Sequence, residues 1–291
     1  MKFISHHNHR GRSRCLCFAI VFAFVICWPV GGAMAGDQVL EPDSPLVHYY
    51  FSKRTHKHDA EWGYTGKQGP QYWGTLSPKY HLAKDGKQQS PIDIQIKDAV
   101  AEALPLLKFN YRAERISMIN NGHSIQQSEH PGSFLHVGDH VYSLEQFHVH
   151  VPSEHIIDGK HADAEIHFVH KSTSGQVVVV AVMVYADSTN PVHVPLYKIL
   201  PQQVGGKVVV DRSSRNPLDL IPKDHSYLRY LGSFTTPPCT EGVHWIVMKT
   251  PVSTTSDVLA EFKEVIGGNN RPVQERHGRK VSVTTGASKV H

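Results

Sequence analysis

Cysteine is nearly missing from the main body of this 291-residue chain. Cys15, Cys17 and Cys27 lie within the first 35 residues, so only Cys239 stands beyond them. Once those residues are removed, no intramolecular disulfide can form, and Cys239 is either buried and inert or a free thiol. Its place after Pro237-Pro238 suits the buried alternative. An excess of one charge is missing too. Lys2, Arg10, Arg12 and Arg14 sit in the first 35 residues with no acid beside them, which leaves 26 basic against 26 acidic residues. A neutral remainder argues against a nucleic-acid partner and against an anionic membrane surface. The apolar stretch Cys15–Trp28 falls short of the ~20 residues a membrane span needs, although an anchor is its other reading. A basic start, that stretch and Ala33-Met34-Ala35 predict a signal peptide over 1–35, cleaved before Gly36. The protein is then exported, to periplasm or medium, with no membrane attachment after cleavage. No repeat or linker divides the remaining 256 residues, which suffice for one core.

Short runs of β-type residues are plentiful. They fall at Leu106–Tyr111, Arg115–Asn120, His123–Gln127, His140–Val151, Ala164–His170, Val177–Tyr185 and His244–Lys249, with Gly, Pro, Asn and Asp between them. Val177–Val184 is almost wholly apolar, as a central strand covered on both faces must be. One helix is predicted at Thr255–Val265, with Ser253, Thr254 or Thr255 as its N-cap and Gly267-Gly268 as its stop. The predicted fold is mainly β (α+β): a single domain on a large, mostly antiparallel twisted central sheet with a few short peripheral helices. Residues 36–58 form a polar lead-in, 59–286 the domain, and 287–291 a tail.

Histidines stand at 148, 150 and 167, each on a β-type run. In a strand, residues i and i+2 share a face about 6.6 Å apart. Two imidazoles can lean together across that gap onto one cation, and a third from a neighbouring strand completes a tripod. Three neutral imidazoles with one open position is the ligand set of a catalytic zinc. A ligand ring needs its second nitrogen held. Gln146 and Glu165 each lie two residues before a ligand, on the same face, and can do this for His148 and His167. His155 and His170 read instead as buried structural histidines, with strand alternation sending His170 to the opposite face.

The chain resembles the α-class carbonic anhydrases, and their exported bacterial members in particular, over residues 61–283. The matching segments include Trp62-Gly63-Tyr64, Gln89-Ser90-Pro91, Asn121-Gly122-His123, Gln146–His150, Ser153-Glu154-His155, Ala164–His170, Gly232–Pro238 and Asn269-Asn270-Arg271-Pro272. The resemblance implies reversible hydration of CO2 to bicarbonate and a proton by a zinc-bound hydroxide, with hydrolysis of activated esters as a secondary activity. Zn²⁺ would be held by His148, His150 and His167, with Gln146, Glu165 and Asn269 behind them. Thr235 would accept the hydroxide's hydrogen and pass its own to Glu154. His123 would shuttle protons along a water path lined by Tyr64, Asn121 and Gln126. Val169, Val179, Phe234, Val243 and Trp245 would wall the CO2 site, with Thr236 facing substrate. Phe234 stands where many relatives carry Leu, which narrows the pocket. Many exported relatives also brace the Thr235 loop with a disulfide from Cys239 to a cysteine upstream of Gln-Ser-Pro. Tyr80–Lys87 offers none, which predicts lower thermal stability than in braced relatives. The small-molecule partner is CO2/bicarbonate, and the assembly a monomer or homodimer. Two other readings are a non-catalytic carbonic-anhydrase-like binding module, which would lack part of the ligand set, and a metal buffer using dispersed histidines such as His56 and His58.

Overall fold

Eight successive residues from Val177 to Val184 carry no charge, and most are β-branched, so they favour an extended chain with both faces covered. In the computed structural model, which describes residues 47–51, 60–186 and 199–285, they form most of the strand Val177–Ala186. For 47–51 and 211–213 only the backbone course is described. Alternation along this strand divides its side chains between two cores. Val178, Val180, Val182 and Val184 enter one, with Leu144, Phe147, Ile166, Phe168 and Phe262. Val179, Ala181 and Met183 enter the other, with Ile92, Tyr230, Val243 and Trp245. Each fully buried Val is worth about 1.5–3 kcal/mol against exposure, so both faces hold the strand in register.

Around it, among the described residues, lies a 14-stranded twisted sheet. Ala164–Lys171 runs antiparallel on one side and Glu241–Met248 parallel on the other. Beyond Ala164–Lys171 come His140–His150, Ile125–Ser128, Glu114–Asn120 and Gly206–Arg215, all paired antiparallel. Val47–Phe51 closes that edge against Gly206–Val210. Part of the expected lead-in is therefore a strand, recruited by the open edge of Gly206–Arg215. On the other side Glu241–Met248 pairs antiparallel with Tyr227–Ser233. Among the described residues, parallel pairing is confined to Glu241–Met248 and Val252–Thr254 against the central strand, Ser282–Thr284 against Val100–Glu102, and Asp93–Ile94 against Ile156–Ile157.

The predicted helix forms over Ser256–Ile266 behind Thr255 and buries Val258 and Phe262. Gly267 ends it at φ +68°, donating to Lys263 O; a side chain would be strained in that left-handed conformation. Among the strands that went unpredicted are Phe134–Val137, Gly206–Arg215 and Tyr227–Ser233. Tyr227–Ser233 buries residues on both faces (Tyr227, Leu228, Tyr230, Gly232 and Ser233) and so lacks the alternation that marks a half-exposed strand. No helix among the described residues is long and apolar enough to cross a membrane. The expected signal peptide and the tail lie outside the described residues, as does most of the lead-in.

Candidate functional site

Register brings the three histidines together. In the ladder between Ala164–Lys171 and His140–His150, His167 lies directly opposite His148, and Glu165 opposite His150. Their rings form a triangle with centroids 5.0 Å (148–150), 5.3 Å (148–167) and 4.6 Å (150–167) apart. One nitrogen from each lies within 4.8 Å of the others. His150 and His167 are buried, while His148 is half-buried on the open side.

Each ring has its second nitrogen occupied. His148 Nδ1 meets Gln146 Oε1 at 2.8 Å, and His150 Nδ1 meets the Asn269 carbonyl at 2.7 Å. His167 Nε2 meets Glu165 Oε1 at 2.7 Å. The nitrogens left over are His148 Nε2, His150 Nε2 and His167 Nδ1. His150 Nε2 is buried with no hydrogen-bond partner, an arrangement that costs free energy unless something else binds there. Burial, reinforced by His150 and His167, holds His148 well below the usual imidazole pKa. Burial likewise lowers His150, against an opposing pull from Glu154. Both rings are therefore neutral at pH 7, the state that ligates a metal. A set of three imidazole nitrogens, with every ring aimed by a hydrogen bond, fits zinc.

Glu154 is wholly buried beside this triangle. Its Oε1 accepts the Arg271 N–H at 2.8 Å. Its Oε2 lies 3.5 Å from His150 Nε2 and 3.9 Å from His167 Nδ1 and accepts no hydrogen bond. The expected bond from Thr235 to Glu154 is therefore not made in this structure. The Arg271 anchor on Oε1 leaves Oε2 turned toward the imidazoles. Thr235 is buried in the adjoining loop Phe234–Thr240, and Thr236 is half-buried there.

The expected apolar wall assembles across the sheet. Val169 pairs with Val179, which pairs with Trp245. Val243 belongs to the same cluster, and Val169 and Phe234 pack against it. The Trp245 ring stands 4.9 Å from that of His167, so apolar surface reaches the triangle. Gly232 makes this closure possible, because a side chain there would collide with Ser90 Oγ and with Trp245.

On the solvent side His123 stacks on Trp62 at 3.7 Å between ring centroids, 8° from parallel. Tyr64 stands edge-on to the same indole at 5.7 Å. Its buried hydroxyl has no hydrogen-bond partner, and its pKa is raised by burial and then by Glu154. Asn121 Nδ2 donates to Gln126 Oε1 at 3.3 Å, and Gln126 lies directly opposite His148. Asn121 Oδ1 also accepts the His123 N–H at 2.8 Å.

Other functional neighbours were not legible in the sequence. His155 was expected to be structural, but its partners were not foreseen: Nδ1 meets Glu165 Oε1 at 2.6 Å and Nε2 meets the Tyr230 hydroxyl at 2.7 Å. Tyr230 donates on to Ser90 Oγ at 2.8 Å, and Ser90 Oγ accepts the Ser233 N–H at 3.1 Å. Arg271 is buried and donates to Gln89 Oε1, Ser90 O and Ala83 O. The only signal in the sequence was that Gln89-Ser90 and Arg271 lie in the segments carrying the resemblance. Cys239 is wholly buried and free, and burial pushes its pKa up to about 11.

Residues 68–285 match the family model for the eukaryotic-type carbonic anhydrases. The chain belongs to that family. A carbonic anhydrase from Nostoc sp. is 39% identical over 225 residues, which are 76% of this chain and 85% of that relative. Among solved structures, the α-carbonic anhydrase of Thermovibrio ammonificans, in complex with the inhibitor sulfanilamide, has TM-score 0.74 and 41% identity. That match covers 78% of this chain and all of the other. A dioscorin solved with ascorbate matches with TM-score 0.69 and 30% identity, over 77% of this chain and 97% of its own. Carbonic anhydrases of this α type are lyases acting on CO2 and bicarbonate and in general depend on zinc; this chain is an enzyme of that class.

Proposed function

We propose that this chain is an exported zinc enzyme that hydrates CO2 reversibly, with His148, His150 and His167 as the metal ligands. The observation that carries the reading is the division of labour within each imidazole: one nitrogen hydrogen-bonded, the other turned to a shared point. When bound, zinc supplies a Lewis acid that lowers the pKa of its water to about 7.

The chain's own residues do the rest. Glu154 Oε2 is a buried acceptor beside the ligands, suited to take the Thr235 hydroxyl proton as a hydrogen bond. Thr235, so oriented, accepts from the attacking oxygen and leaves its lone pair directed at carbon. Val169, Val179, Phe234, Val243 and Trp245 present apolar surface to a substrate without net charge or dipole, and Thr236 faces the bicarbonate oxygens. His123 passes the product proton to buffer, an exchange for which histidine is the side chain best suited near neutral pH. Tyr64, Asn121 and Gln126 line the way between. Hydrolysis of activated esters is a secondary activity of the same site.

Dioscorin as a relative favours one second reading, a carbonic-anhydrase-like module that binds without turnover. The complete ligand triangle argues for the enzyme. Stopped-flow CO2 hydration by the protein beginning at Gly36, with metal content and chelation, decides between them. Rapid chelator-sensitive hydration at one zinc per chain is expected; stoichiometric zinc without hydration would leave the binding module.

A further inference from the structure

The loop Phe234–Thr240 carries both Thr235 and Thr236, and a segment more than 140 residues away in sequence holds its two ends. Ser233 and Glu241 close the loop as the last pair of their ladder, after a register shift at Gly232/Ser233. Within it, Phe234 N–H donates to Thr240 O at 3.0 Å and Cys239 N–H to Thr236 O at 2.9 Å.

Gln88, Gln89 and Ser90 grip both ends. On one, Ser90 N–H donates to Ser233 Oγ at 2.9 Å, and Ser233 N–H donates to Ser90 Oγ at 3.1 Å. On the other, a single carboxylate oxygen does most of the work. Glu241 Oε1 accepts the Gln88 N–H at 2.6 Å and the Gln89 side-chain amide at 3.1 Å. That amide also donates to Cys239 O at 3.0 Å, while Arg271 holds Gln89 Oε1 from behind at 2.8 Å. Arg271 in turn fixes Glu154 through its own N–H. Cys239, at the same place, is free, so this end of the loop is held without a covalent tie.

We propose that Glu241 is a positioning residue for the reaction, its carboxylate fixing where Thr235 and Thr236 stand relative to Glu154 and the three imidazoles. The inference rests on the function proposed above. The bonds from Gln88 and Gln89 both end on Glu241 Oε1, so this end depends on where one side-chain oxygen stands. A misplacement of about 1 Å at a reacting centre can cost on the order of 100-fold in rate. Glu241 touches neither the substrate region nor a ligand ring, so its removal leaves the metal triangle intact.

The test compares E241A and E241Q with the parent protein by zinc content, melting temperature, kcat and KM for CO2, and the pH profile. E241A is expected to keep one zinc per chain and the parental midpoint of the pH profile, yet to lose about tenfold or more in kcat/KM. E241Q retains a carbonyl acceptor and recovers most of that loss. An E241A protein within twofold of the parent overturns the proposal, as does a loss that follows zinc content or folded fraction and that E241Q does not recover. If E241A does not fold, E241D takes its place, keeping the charge but withdrawing the oxygen by one methylene. Lost kcat/KM at full zinc occupancy then supports the proposal, and parental kcat/KM overturns it. A parent that binds zinc but hydrates no CO2 refutes the function itself, a result separate from any effect of position 241.

Discussion

Two clusters of potential metal donors share His167, and they differ in how much of their hydrogen-bonding capacity is spent. In the first, His148, His150 and His167 each keep one nitrogen uncommitted. In the second, Glu165 is saturated: Oε1 takes His155 Nδ1 and His167 Nε2, and Oε2 takes the backbone N–H groups of Glu154 and His155. His155 spends its other nitrogen on Tyr230. Both clusters place three potential metal donors within 4.8 Å of one another, so proximity does not separate them. What separates them is satisfaction. A saturated buried carboxylate rigidifies its surroundings, whereas an aimed but unfilled nitrogen is available to a cation. Burial alone would raise the Glu165 pKa, yet His155 and His167 hold it well below the usual range. The second cluster is the fixed frame on which the first is mounted.

The sharpest way to break this contrast is to remove a donor from the open cluster. His167→Ala is expected to abolish tight zinc binding and CO2 hydration, with a loss beyond the roughly 100-fold that is the upper end for a supporting residue. Metal titration and stopped-flow rates check it. His155→Ala attacks the frame instead. It strips Glu165 of a charge partner and should destabilise the fold by about 3–5 kcal/mol in denaturant titration. Gln146→Ala sits between the two, leaving the fold in place and lowering zinc affinity about 10–100-fold, measured by competition with a chelator.

A pH experiment extends the comparison to the opposite face of the same strand. His170 is wholly buried against the Tyr111 hydroxyl at 2.6 Å, and burial pushes its pKa down to about 3. The folded protein keeps this ring neutral while the unfolded chain protonates near 6.5, so the unfolded state gains protons first. Stability is therefore whole above about pH 6.5 and declines as pH falls toward 3, by about 5 kcal/mol at most. Denaturant unfolding of His170→Gln should show a shallower slope across that window. The smallest effect concerns Cys239. With its pKa near 11 and its sulfur buried, the native thiol should resist alkylation at pH 8 and react only after unfolding. Rapid labelling of the native protein would contradict its burial.

The same contrast explains what the sequence disclosed. Residues two apart on one strand share a face, so Gln146 with His148 and Glu165 with His167 were readable as holder and ligand, and both contacts form. The central strand and the helix were readable from an apolar run and from a Gly-Gly stop. The frame was not readable, because its bonds join distant segments: His155 to Tyr230 across 75 residues, and Arg271 to Glu154 across 117. No local period encodes such pairs. The direction of Glu154 Oε2 was hidden for the same reason, since it depends on where Arg271 anchors the other oxygen.

Asn269 shows how tightly the molecule has bound two of its requirements together. Its carbonyl takes His150 Nδ1, its Oδ1 takes the Val151 N–H, and its Nδ2 donates both to Val149 O and to His123 O. Holding the His150 ring and holding the loop that carries His123 thus share a single codon. Neither can drift at that position without disturbing the other, so under the proposed function metal affinity and proton exit are inherited as one trait.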